Sequence, residues 1–111
     1  EVRPLHAAAG TSAVVSQQLE QGNQLFAQQD WAGAQQVYLA AIQADQTLAE
    51  AHYNLALTLE RLGEKAEAKK HYVAAANLAP GNKVIWDAPP LRKYDREIGL
   101  DRKSWMDANP K

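Results

Sequence analysis

Cysteine is absent from the 111-residue chain. That excludes a disulfide framework, a thiolate metal site and a cysteine nucleophile, while leaving the redox character of the compartment open. An excess of one charge is lacking as well. Thirteen acids stand against 12 bases, net −1, so the chain as a whole is not an electrostatic nucleic-acid binder. No apolar run approaches the roughly 18 residues that a membrane-spanning helix requires. The opening residues, Glu1-Val2-Arg3-Pro4, carry neither an apolar signal core nor a starting Met, which reads as a processed mature form or a trimmed one. A soluble chain, cytoplasmic or exported to a periplasm after processing, is the expectation. There is no Gly-rich phosphate loop and no Gly-x-Ser-x-Gly elbow. Ser12, Ser16 and Ser104 have no histidine near them in sequence.

What is present favours helix. Twenty-one residues are alanine, and ten glutamines fall between Gln17 and Gln46. Both types are good helix formers, and valine, isoleucine and threonine are few. Four of the five prolines come after residue 79. An all-helical body from about residue 12 to 80 follows, and then a tail of different character.

The body repeats itself. At an offset of 34, Gly22 falls on Ala56, Leu25 on Leu59, Ala34 on Ala68, Tyr38 on Tyr72 and Ala41 on Ala75. A fixed period of that length means stacked helix pairs. Local signals give the same spacing. Asp30 can cap a helix from Trp31 to Ala44. A stretch from Glu50 to Arg61 reaches Gly63, suited to the left-handed residue that closes a helix. A second stretch from Lys65 to Leu78 stops at Ala79-Pro80-Gly81-Asn82. Leu55, Leu59 and Leu62, and likewise Ala68, Tyr72, Ala75 and Ala79, step by three and four, so each helix should carry one apolar stripe. The recurring small residues allow helix backbones to approach, with Tyr38 and Tyr72 supplying bulk beside them. A generic alanine-rich bundle needs no such recurrence at one offset.

The stretch from Ala49 to Asn82 resembles a tetratricopeptide repeat through Leu55-Ala56, Leu59, Gly63, Ala68, Tyr72, Ala75 and Pro80. The stretch from Val15 to Leu48 resembles a second copy through Gly22, Leu25, Ala34, Tyr38 and Ala41. It departs from the family pattern at Gln46, where proline is usual, and at Gln18 and Gln21. The resemblance implies an all-α fold of antiparallel helix-turn-helix pairs stacked as a short right-handed superhelix. It implies a flexible lead-in over 1–11, two repeats (15–48 and 49–82) within 12–82, and a divergent helical cap or tail over 83–111.

In the tail, Asn82 can cap a third helix and Pro90 can start a short one. Trp86, Leu91, Tyr94, Ile98, Trp105 and Met106 would cover the end of the second repeat, which two repeats alone leave open. The rival reading docks them on a second copy of the chain or on a membrane enzyme's surface. Thr11 or Ser12 is the expected first helix cap.

Four function classes follow from these residues. Glu60, Glu64 and Glu67 beside Arg61, Lys65, Lys69 and Lys70 read as a solvated face rather than catalytic carboxylates. No enzyme is expected. His52 and His71 lie on the two helices of one repeat, but two ligands make a poor metal site; no metal or cofactor is expected. The tail from Lys83 to Lys111 has seven bases against five acids, the repeats four against seven. Acids interleave with bases in the tail, so no nucleic-acid stripe forms.

Protein binding remains. Stacked helix pairs curve, and the first helix of each pair lines the hollow side. The resemblance places Leu19, Asn23, Phe26 and Ala27, with Tyr53, Asn54, Leu57, Glu60 and Arg61, on that side. An asparagine at the place of Asn54 often hydrogen-bonds an extended peptide in the family, since a carboxamide donates and accepts at once. Members that hold a carboxylate terminus pair two asparagines with several bases. Asn23 and Asn54 match, but Leu19, Val84 and Ala88 stand where the bases belong, so recognition of that kind is not expected. The expectation is an adaptor with an apolar groove for a partner's peptide or helix, a groove that the chain's own tail could also fill. The alternative is a homodimer formed through the tryptophan-bearing tail or an open repeat end.

Overall fold

A computed structural model describes residues 2–93 of the chain. Its elements run α1 (Ala13–Ala27), α2 (Trp31–Ala44), α3 (Ala49–Arg61), α4 (Lys65–Leu78), α5 (Lys83–Trp86) and α6 (Pro89–Lys93). No strand is found among the described residues. Helix α1 pairs with α2 and α3 with α4, and α2 stacks against α3 to join the two hairpins.

Local chemistry sets the helix ends. Ser12 caps α1, its side chain accepting from the Val15 N–H at 3.3 Å. Asp30 caps α2 by accepting from the Gly33 N–H at 3.0 Å. Each hairpin turns through the same motif. The Gln29 N–H reaches the Phe26 carbonyl and the Asp30 N–H that of Leu25, both at 2.9 Å. Thirty-four residues on, the Gly63 N–H reaches Glu60 at 3.1 Å and the Glu64 N–H reaches Leu59 at 2.9 Å. This is the Schellman closure, which satisfies the last carbonyls of a helix around one left-handed residue.

The repeated small residues lie between helices. Gly22 is buried, and Ala34, Ala41, Ala56, Ala68 and Ala75 have no exposed surface. A Cβ built on Gly22 would stand 2.7 Å from Cδ1 of Tyr38. Tyr38 and Tyr72 fill the hairpin interiors, fully enclosed. Burial of this apolar set is the main stabilising term.

Helix α3 departs from the one-stripe expectation. All seven residues from Tyr53 to Thr58 and on to Leu59 are buried. Seven residues make nearly two turns, so α3 is enclosed around its whole circumference. Helices α4 and α2 pack against it. Residues before α1 add cover at Asn54, as described below.

Beyond α4, Asn82 accepts from the N–H groups of Val84 and Ile85 at 3.0 and 3.4 Å and starts α5. The next short helix begins at Pro89, one residue before the expected start. Trp86, Ile85 and Leu91 are buried. The Trp86 indole N–H donates to the carbonyls of Ala76 and Ala79 at 3.1 and 2.9 Å. It thereby adds a donor at the end of α4, where a helix leaves carbonyls without intrahelical partners. Tyr94, Ile98, Trp105 and Met106 lie outside the described residues. No helix among those described is long and apolar enough to cross a membrane.

Candidate peptide groove

Helices α1 and α3 supply the inner face, and two asparagines stand on it. Asn23 projects from α1 and Asn54 from α3, their side chains joined by a 3.1 Å hydrogen bond from Asn54 Nδ2 to Asn23 Oδ1. The Tyr38 hydroxyl donates to the same Oδ1 at 2.5 Å. That contact orients the Asn23 amide so that its Nδ2 faces outward. Burial, and after it the Glu20 charge, pushes the Tyr38 phenol well above its ordinary range, so it remains a donor.

The amides hold a piece of the chain itself. Asn54 Oδ1 accepts from the Leu5 N–H at 2.7 Å, and Asn54 Nδ2 donates to the Leu5 carbonyl at 2.8 Å. Asn23 Nδ2 donates to that carbonyl as well, at 3.1 Å. One side chain thus reads both backbone polar groups of one residue, as a neighbouring strand would. Asn54 has no exposed surface, and both its amide donors and its acceptor are engaged, as a buried carboxamide requires. Val2, Leu5 and Ala7 pack against the core, partly buried. The residues assigned to a lead-in are therefore seated on α1 and α3.

The remaining inner residues divide into core and rim. Leu19, Tyr53, Leu57 and Phe26 are buried. Tyr53 meets Tyr72 edge to face at 5.8 Å between ring centroids. Burial, and then the Glu60 charge, pushes its phenol up to about 12. Glu60 accepts from the Tyr72 hydroxyl at 2.8 Å. On the rim, Phe26 and Trp31 meet at 4.8 Å in a T-shaped pair. The Arg61 guanidinium lies 5.9 Å above the first ring and 5.3 Å above the second, within range of cation–π attraction. A cavity of about 430 Å³ opens there among Val2, Arg3, Pro4, Asn23, Phe26 and Arg61. The inner face is thus an apolar floor with two amides and a basic, aromatic edge. Ala27 lines the same cavity.

Two participants escaped the sequence reading. Tyr38 was expected only to pack, yet its hydroxyl orients Asn23. Leu5 lies outside the repeat and carries no capping or periodic signal. The available signal was Pro4, which favours an extended chain before and at its own position.

Away from the groove, the two histidines do approach. His52 Nδ1 and His71 Nδ1 are 3.0 Å apart and the rings stack. Among the described residues no group of three or more metal-ligating side chains occurs. On the outer face Lys70 and Glu67 form an exposed pair at 3.2 Å.

Stacked antiparallel helical hairpins of this period define a class of repeat proteins. Family models described as TPR repeat and tetratricopeptide repeat match residues 22–63 and 49–82. The chain belongs to the tetratricopeptide repeat family, whose repeats generally mediate protein–protein interactions and are typically non-catalytic. No curated protein and no solved structure matches the chain.

Proposed function

We propose that the protein is a non-catalytic adaptor whose inner face binds an extended segment of a partner protein. Asn54 and Asn23 read the backbone, and Phe26, Tyr53, Leu57 and Arg61 shape the floor and the rim around it. Leu19 supports the floor from within. The observation that carries this reading is the bracket of Asn54 around Leu5, where one carboxamide satisfies an N–H and a C=O of an extended chain at once. Main-chain hydrogen bonds of this kind supply affinity for any extended peptide, and neighbouring pockets supply selectivity. A helical ligand, whose own backbone bonds are satisfied internally, offers these amides nothing.

The test is selection of random peptides on the immobilised protein, followed by binding of the selected peptides to two variants. Asn54→Leu keeps the volume and removes the amide, while Lys70→Glu changes the outer face. Peptides should bind Lys70→Glu as they bind the wild type and lose at least ten-fold in affinity to Asn54→Leu. Equal binding to all three would place the docking surface elsewhere.

A further inference from the structure

We infer that residues 2–8 are a resident pseudo-ligand. The partner that displaces them is then an internal, extended segment with the same pattern: proline, leucine, a basic residue, a small residue. This rests on the reading of the inner face as a peptide groove.

The segment has the form of a bound peptide. It has no helix or strand of its own. Val2, Leu5 and Ala7 turn toward the core while Arg3, His6 and Ala8 are exposed. From Leu5 onward this is the inward–outward alternation of an extended chain. Pro4 fixes its own φ and disfavours helix at Arg3, which prepares the segment for this shape. Leu5 is held by its backbone through Asn54 and Asn23, and the chain continues on both sides of it. The groove therefore needs no terminal carboxylate, consistent with apolar Leu19 standing in place of a base.

The flanking chemistry is equally specific. His6 Nδ1 lies 2.6 Å from Glu20 Oε2 at the groove edge, both side chains exposed. A cation after the leucine suits that carboxylate. Ala7 packs inward, and a small residue fits that place.

The seat is also releasable. Val2, Leu5 and Ala7 are only partly buried, so none is locked into the core. The segment joins α1 through Gly10, at φ +91°, and a turn in which the Thr11 N–H and hydroxyl both reach the Ala8 carbonyl. A short tether gives the segment a millimolar-order effective concentration at the groove. A partner must outcompete it, which lowers apparent affinity in proportion to the occupied fraction. In the seated state α3 is enclosed all round. Release would uncover Asn54.

The test uses the full chain and a fluorescent peptide spanning Val2 to Ala8 with both ends blocked. Leu5→Pro removes the N–H that Asn54 accepts, and Leu5→Asp removes the apolar anchor. Each should bind the peptide at least ten-fold more tightly than the wild type does, and adding Asn54→Leu should abolish the gain. In NMR spectra the Asn54 side-chain amide should shift between wild type and either variant. Equal peptide binding by wild type and both variants would overturn cis occupancy. So would loss of helical signal in both variants, which would make the segment a fixed part of the core. Failure of this peptide to bind any form, while randomly selected peptides still depend on Asn54, would overturn the inference and leave the groove reading standing. Loss of that dependence too would remove both.

Discussion

Gln29 occupies in the first hairpin the left-handed position that Gly63 holds in the second, 34 residues further along. Their φ values are +64° and +84°. The hydrogen bonds around them are the same, so the motif is kept while the residue best suited to it is not. Glutamine at φ > 0 carries a Cβ clash that glycine avoids. Gln29→Gly should therefore stabilise the protein by about 1 kcal/mol. Gly63→Ala should cost a similar amount. A Cβ there meets nothing within 4 Å, so the penalty is purely in the backbone. Chemical denaturation of the two variants checks both signs, and a stabilised Gly63→Ala would contradict the account.

Gly22 tests the close approach of α1 and α2. An added Cβ would stand 2.7 and 2.9 Å from Cδ1 and Cζ of Tyr38. Tyr38 is wholly enclosed and its hydroxyl is held by Asn23, so the ring cannot yield cheaply. Overpacking of this kind costs about 1–3 kcal/mol. Alanine's better helix propensity returns at most about 1 kcal/mol. Gly22→Ala should lower the thermal midpoint, by roughly 4–8 °C per kcal/mol of net loss in a domain of this size. Displacing Tyr38 should also disturb Asn23 and with it the seat of Leu5, visible as faster exchange of the Leu5 amide proton.

These two glycines show what the sequence could and could not reveal. The bounds of α2 and α4 agree with the expected Trp31–Ala44 and Lys65–Leu78, because Asp30, Gly63 and Pro80 are local signals with local causes. Burial of Gly22, Ala34, Ala41, Ala56, Ala68 and Ala75 was legible from their common offset. Gln29 gave no sign of its left-handed backbone, since glutamine is common in helices and its conformation follows from the hairpin closing around it. The seat of Leu5 was hidden for another reason. It joins positions 49 residues apart through the backbone of Leu5, which leaves no periodic trace. The inner-face residues could be named only by resemblance, and periodicity did not show that the chain would cover them itself.

Trp86 tests the sealing of α4. Its indole donates to two carbonyls at the helix end, and its ring is 1% exposed. Trp86→Phe preserves an aromatic ring but deletes the one N–H that both carbonyls share and leaves a small void. About 1–3 kcal/mol should be lost. Loss of helical circular dichroism on heating should shift to lower temperature, with α4 amides near Ala76 exchanging faster than those of α1. Uniform acceleration throughout, or none, would mean that the indole does not secure that end.

The His52–His71 pair should make stability pH-dependent. His52 Nε2 faces the Gln46 carbonyl at 3.2 Å, so the neutral ring carries its proton on Nε2 and offers a bare Nδ1 to the Nδ1–H of His71. Burial holds the His52 imidazole below its ordinary value, opposed by the Gln46 carbonyl. Burial also lowers His71, aided by His52 and Lys70 and opposed by Glu67. His71 can accept one proton on Nε2 with the contact kept, but a second, on His52 Nδ1, would set donor against donor. Because the folded values lie below those of the unfolded chain, the unfolded state binds more protons as the pH falls through about 6.5. Stability is therefore fully present above that value and declines on acidification, levelling once the folded rings protonate. Melting from pH 7 to 5 should show a steeper fall for wild type than for the His52→Gln, His71→Gln double variant. Parallel curves would assign the acid sensitivity to other groups.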